Sequence, residues 1–380
     1  MKRNNALRVI LACLLVAALL CGCGSSGQEV PEASAPTGET TTEVTTEVTT
    51  EAPTDPTVED PTVPSTEAPT ETVIYTNPLT GEVMDAPYTG RVFITSISNT
   101  PEVLPHVNAM KADILFESFV SDSIIRCWGL FSDISAIDRI GPVRSTRLMI
   151  NDIADHYGAV LLHAGGKNNV LQDLKDRGID NIRLDTWDPQ EYGASIRDED
   201  RLHDVGYEHC LLVLGPKVVD YAKSIGISVS SEESKDYLLH FSEVGTPANG
   251  EAATHIVYRI NHRDMWKETI LDYDAELGKY VYSQYGDVMI DGDTGEKEAY
   301  TNVILLRANV TRDGAFQVAD FVAGGDGYFA CGGKIIPILW GANGEKEPLW
   351  FTTQDGQPLV LGVGNTYIAI TDSTKGLVHE

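Results

Sequence analysis

Two arginines three positions apart, Arg144 and Arg147, close the run Ile140-Gly141-Pro142-Val143-Arg144-Ser145-Thr146-Arg147, and His163-Ala164-Gly165-Gly166 follows. Guanidinium groups and unpaired backbone N–H donors are the groups that best hold a carboxylate, phosphate or sulfate. Arginines at i and i+3 at a helix start share one face, beside the N–H groups that the first turn leaves free. The glycine pair before the next helix adds a second set of donors and lets a ligand approach the backbone closely. Arg144, Arg147, His163, Gly165 and Gly166 therefore read as an anion-binding set, with His163 placed to donate to the anion or to shuttle a proton. A second reading pairs Arg144 and Arg147 with Asp113 and Glu117, which makes Asp113, Glu117 and Arg126 structural supports. Like charge at a helix N-terminus opposes the dipole by about 0.3–1 kcal/mol each, which favours a bound anion.

The remaining chemistry is sparser. His203-Asp204 follows the charged stretch from Arg197 to Arg201 in a polar segment. Set across from His163, it would give an acid–base pair or half a metal site, so His163 and His203 are the catalytic candidates. The plainer reading is a solvated surface histidine. A third ligand at zinc-like spacing is missing, so no metal is expected. Asp291-Gly292-Asp293-Thr294-Gly295-Glu296 lacks the twelve-residue spacing of a calcium loop and reads as a hairpin turn. Gly324-Gly325-Asp326-Gly327 precedes no helix and turns a strand rather than cradling a nucleotide, so no cofactor is expected. There is no Gly-x-Ser-x-Gly elbow. Trp340, Trp350 and Tyr367 lie on separate strand-like segments and read as core rather than as a sugar platform.

These residues need elements to position them. Ile114, Phe116 and Ser118 alternate with Asp113, Leu115 and Glu117, and Ile124 to Phe131 follows a short polar turn; the spacing predicts an antiparallel strand pair. A helix capped by Ser145 or Thr146 is predicted to end near Tyr157-Gly158. A short strand at 159–163 breaks at Gly165-Gly166 and leads into a helix that Gly178 stops. From Arg183 to Asp204 the chain reads as irregular, and a helix is predicted near His209 to Ile225. After Gly245, strand-like segments separated by turns dominate, among them Ile256 to Ile260, Val303 to Ala308 and Thr366 to Ile370. The expected fold is mixed α+β: an α/β N-terminal domain over 73–245 and a smaller, mostly β C-terminal domain over 246–380.

The N-terminus tells where the protein works. Lys2, Arg3 and Arg8 precede an apolar segment from Val9 to Leu20, and Gly22 abuts Cys23. That order is an export signal over 1–22, with an apolar core too short to span a bilayer. From Gly24 to Thr72 there are eleven acidic residues, no Lys or Arg and no aromatic residue. Such a segment cannot bury enough apolar surface to order itself, so 23–72 reads as an extended, disordered stalk. From Val73 onward 25 Lys and Arg stand against 45 Asp and Glu, a net −20. That balance excludes nucleic acid or an anionic membrane surface as the bulk partner. Cys127, Cys210 and Cys331, an odd number in apolar surroundings, read as buried free thiols. Composition leaves the oligomeric state open.

The segments Asn77-Pro78-Leu79-Thr80-Gly81, Lys111-Ala112-Asp113-Ile114 with Glu117, Ile140 to Arg147, His163 to Gly166, Gly325-Asp326-Gly327 and Gly333-Lys334 with Trp340 together resemble the YerB, or DUF3048, family of Gram-positive lipoproteins. The resemblance spans Asn77 to Thr371. It implies an α/β domain followed by a β-rich domain, and it implies a lipid anchor: the Cys23 run resembles a lipobox, whose cysteine becomes diacylglyceryl-cysteine after cleavage before it. The implied location is the extracellular face of the cell membrane. The family supplies no activity. The sequence departs from its pattern at Ser121-Asp122-Ser123, and at His203-Asp204 where His-Asn is usual. The expected function is a surface lipoprotein that binds an anionic group from a wall polymer or peptide. Its rivals are an envelope hydrolase or transferase using His163 and His203, and an assembly partner of another envelope protein.

Overall fold

The alternating segment from Ile114 onward forms a strand, Ile114–Ser121, buried along its whole length. Its period of two sorts side chains between two cores rather than between core and solvent. Leu115 and Phe119 enter one cluster, and Ile114, Phe116 and Val120 enter the other. Ile124–Phe131 pairs with it in antiparallel register, as the spacing predicts.

The computed structural model describes residues 73–121, 124–231, 235–262, 265–373 and 378–379. Cys23, the signal segment 1–22, the stalk to residue 72, and Asp122 and Ser123 lie outside the described residues. Among the described residues, thirteen strands form one mixed sheet. The strand Thr366–Asp372 lies in its middle, parallel to Ile114–Ser121 on one side and to Asn302–Ala308 on the other. Strands from both sides of position 245 thus share a single sheet, and the described residues belong to one compact unit. The fold is mixed, with strands predominating over helices.

One face of this sheet carries helix α1 (Leu148–Tyr157), whose Met149, Ile150, Ile153, Ala154 and Tyr157 pack among Phe116, Trp128 and Ile368. Helix α2 (Asn168–Arg177) adds Leu174 to the same core. The other face meets a six-stranded sheet built around His255–His262, Met265–Asp274 and Lys279–Gln284, through Ile256, Tyr258, Tyr280 and Tyr282.

A buried polar network ties these two sheets together. Lys267 Nζ lies 2.5 Å from Glu117 Oε1 and donates to Thr269 Oγ1 and to Tyr282 Oη, each at 2.8 Å. The Tyr282 hydroxyl reaches Glu117 Oε2 at 3.1 Å, and Tyr367 and Asn99 donate to the same carboxylate. Such a pair is tolerated without water only because its remaining lone pairs and protons also find partners.

Several expected elements come out differently. The helix after the arginine run begins at Leu148, with Arg147 itself at the N-cap in extended conformation, and neither Ser145 nor Thr146 caps it. Thr146 instead donates to Asn151 Oδ1, so its hydroxyl is already engaged. The predicted helix near His209 to Ile225 is the strand Leu211–Val213 followed by a helix, Gly215–Ser224. The apolar run Cys210 to Leu214 was a buried strand, which periodicity cannot distinguish from a helical turn. The Arg183 to Asp204 stretch, read as irregular, contains α3 (Trp187–Tyr192) and α4 (Glu199–Val205); the Gly215–Ser224 helix is then α5. Cys127, Cys210 and Cys331 are buried free thiols. Trp340 and Tyr367 are core residues.

Candidate functional site

The arginine run reaches its place as extended chain. Arg144 N–H donates to Ser96 O at 2.8 Å, Ala164 N–H to Arg144 O at 3.0 Å, and Thr146 N–H to Gly165 O at 2.9 Å. This ladder lays residues 144–146 along Ala164-Gly165, so the arginine run and the glycine pair adjoin. Gly165 takes a φ of +71°, and a side chain there would crowd the Arg183 guanidinium. Glycine is the residue that adopts this backbone without strain.

The result is a cleft of about 360 Å³ walled by Arg144, Gly165, Gly166, Arg183, Arg197 and Tyr207, with Asp185 and Glu208 at its edge. Arg183 is held by Asp185 at 2.9 Å. Arg197 lies over the Tyr207 ring, 3.6 Å from its centre, and donates to Tyr207 O. Arg144 Nη2 donates to Glu208 Oε2 at 2.9 Å, and that glutamate is 74% exposed at its side chain. Arg144 holds the Glu208 carboxyl below its ordinary range.

Two further arginines near Arg144 do not line the cleft. Arg126 is 2% exposed, and among the described residues its one hydrogen bond runs from Nη1 to Ser98 Oγ at 3.2 Å. Arg147 donates to the carbonyls of Ser145 and Thr146 and lies over the Phe316 ring. Among the described residues neither has a carboxylate partner. Burial and then the Arg147 and Arg144 charges push the Arg126 pKa well down, and burial with Arg144 lowers that of Arg147. An arginine does not release its proton in a protein, so these directions express the cost of burying its charge beside like charge. The Nε atoms of Arg126, Arg144, Arg147 and Arg197 are all buried without an acceptor among the described residues.

The sequence-derived set is therefore divided. Arg144, Gly165 and Gly166 line the cleft; Arg147 and His163 do not. The His163 ring is buried with Nδ1 2.9 Å from Gly165 O and Nε2 3.1 Å from Asn181 Oδ1, and burial lowers its pKa. His203 sits exposed on α4 and meets Asp204. The two rings do not meet, and the acid–base pair read from the sequence is not assembled. Asp113 and Glu117 do not pair with Arg144 or Arg147. Asp113 accepts from Ser132 N–H, and Glu117 points to the opposite face of the sheet, into the Lys267 network. Asp291 accepts from the Asn108, Asp293 and Thr294 N–H groups, and Asp293 pairs with Arg139, so that turn docks the two sequence halves.

The DUF3048 N-terminal domain, a domain of unknown function, matches residues 79–208, and the DUF3048 C-terminal domain matches 256–368. The chain belongs to the DUF3048 family. YerB of Bacillus subtilis (strain 168), which bears the name of a lipoprotein, is 24% identical over 308 residues, covering 77% of this chain and 88% of its own. The crystal structure of YerB from Bacillus subtilis superposes with a TM-score of 0.67 at 20% identity, over 79% of this chain and 97% of that one. The likeness in structure carries the fold. Among the described residues of this DUF3048 chain, no helix is long and apolar enough to cross a membrane.

Within the DUF3048 N-terminal match, the sequence reading missed Arg183, Arg197, Tyr207 and Glu208 as parts of the cleft. The Asp- and Arg-rich composition of 183–204 carried a signal for the first two. Glu208 carried none, because its link to Arg144 spans 64 positions.

Proposed function

We propose that this protein is a lipid-anchored envelope protein that binds an anionic group, from a wall polymer or peptide, in the Arg144–Gly165–Arg197 cleft. The carrying observation is uncompensated positive charge in an acidic chain. Burial and then the Arg147 and Arg144 charges lower the Arg126 pKa, burial and Arg144 lower that of Arg147, and among the described residues Arg144 alone of the three has a carboxylate partner, the exposed Glu208. An anion bound in the cleft meets Arg144, Arg183 and Arg197 through charge-assisted hydrogen bonds and adds countercharge near Arg126 and Arg147, which do not line it. Cys23 supports the anchor, in keeping with the lipoprotein name of the B. subtilis relative. Stable attachment by acyl chains follows from about 0.8 kcal/mol per buried methylene.

Binding of wall fragments by wild type and by the Arg144→Ala/Arg147→Ala variant tests the site. A loss of at least tenfold in the variant is expected, and equal affinities remove the arginines from it. For the anchor, Cys23→Ser is expected to shift the protein from the membrane fraction to the soluble one. A mature N-terminus other than Cys23 rules the anchor out.

A further inference from the structure

We infer that the ligand of this cleft is a monophosphorylated sugar: a pyranose ring carrying one phosphate ester. The inference rests on the anion-binding reading above and narrows it by the kind of groups that line the cavity. Arg144, Arg183 and Arg197 face Asp185 and Glu208, a formal balance of one positive charge. A polyanion would meet two carboxylates at close range, whereas a single phosphate meets the arginines, and the lone pairs that Asp185 and Glu208 do not spend on Arg183 and Arg144 remain to accept from hydroxyl groups. An inorganic anion has no use for those acceptors.

Tyr207 adds the third element. It is 61% exposed although it lines a cleft, and the Arg197 guanidinium lying 3.6 Å from its ring centre fixes its orientation. An exposed, oriented aromatic ring is a surface for the C–H face of a sugar, with its rim left to polar contacts. The cavity of about 360 Å³ lies at the small end of ligand sites, which suits one ring and its phosphate rather than several polymer units.

Titration calorimetry on the full folded body, with glucose 1-phosphate, its methyl phosphodiester, inorganic phosphate, glucose and tripolyphosphate, tests the assignment. A sugar phosphate is expected to bind at least tenfold more tightly than phosphate, glucose or tripolyphosphate. Stronger binding of the diester points to a wall polymer as source, and stronger binding of the monoester to a free sugar phosphate; either supports the class. Tyr207→Ala, and Tyr207→Leu should the first variant melt early, is expected to bring the sugar phosphate down to the affinity of inorganic phosphate. Arg144→Ala is expected to abolish binding of both. If tripolyphosphate or phosphate binds as well as the sugar phosphate and the Tyr207 variants change nothing, the sugar class is wrong, and dependence on Arg144 still leaves an anion site. If no anion binds, both readings fall.

Discussion

Arg126 is the residue whose cost is clearest. A guanidinium 2% exposed, beside two other guanidiniums and bonded to one serine hydroxyl, lowers the stability of the unliganded protein. Arg126→Met keeps most of the volume and removes the charge, so it is expected to stabilise the protein by about 1–3 kcal/mol. Thermal unfolding in phosphate-free buffer measures this, and the same variant is expected to weaken anion binding. A lower melting temperature would mean that the protein already compensates this charge. Asp113 offers a pH signature. Burial raises its pKa from 3.8 to about 6, against the opposing hydrogen bonds from Ser132. The folded state thus holds a proton that the unfolded chain releases. That contribution is complete below about pH 4 and is lost as pH rises through 6. Relative to wild type, Asp113→Asn is expected to gain up to about 3 kcal/mol between pH 4 and 7, from two pKa units at about 1.4 kcal/mol each. Denaturant unfolding across that range would show a flat difference if the carboxyl titrates normally.

At the scale of elements, the Glu117–Lys267 network joins a strand of the central sheet to one of the second sheet. Lys267→Met leaves Glu117 buried without its cation and is expected to destabilise by about 3–5 kcal/mol. Adding Glu117→Gln retains an acceptor for the Tyr282 and Tyr367 hydroxyls and removes the charge. The double variant is therefore expected to be more stable than Lys267→Met alone, by about 1 kcal/mol or more. Purely additive losses would show that the pair does not act as a unit. Helix α1 makes a related point about legibility. Its apolar spacing was readable, and so was its stop at Gly158, which caps it in left-handed conformation. Its start was not. The extended run 143–147 is set by hydrogen bonds to Ser96, Leu211 and Gly165, none of them local.

For the whole molecule, the insertion of Thr366–Asp372 between Ile114–Ser121 and Asn302–Ala308 makes the late strand part of the early core. A fragment covering 73–245 would expose the edge of Ile114–Ser121 and half of each hydrophobic cluster. It is expected to remain unfolded by circular dichroism, while the chain from Val73 onward unfolds in one transition. A folded, dispersed spectrum from the fragment would contradict this.

The sequence by itself determined what depends on near neighbours and composition. The Ile114–Phe131 strand pair and helices α1 and α2 with their glycine stops rest on local spacing. Tertiary structure decided which charges meet. Glu117 was read as a partner for arginine, but the pleat turns it away from them toward Lys267, 150 positions along the chain. Arg144 found Glu208 instead, and Arg126 found no carboxylate among the described residues. A charged side chain reaches only a few ångströms, so its partner is fixed by which strands the fold brings side by side, and spacing along the chain carries no record of that.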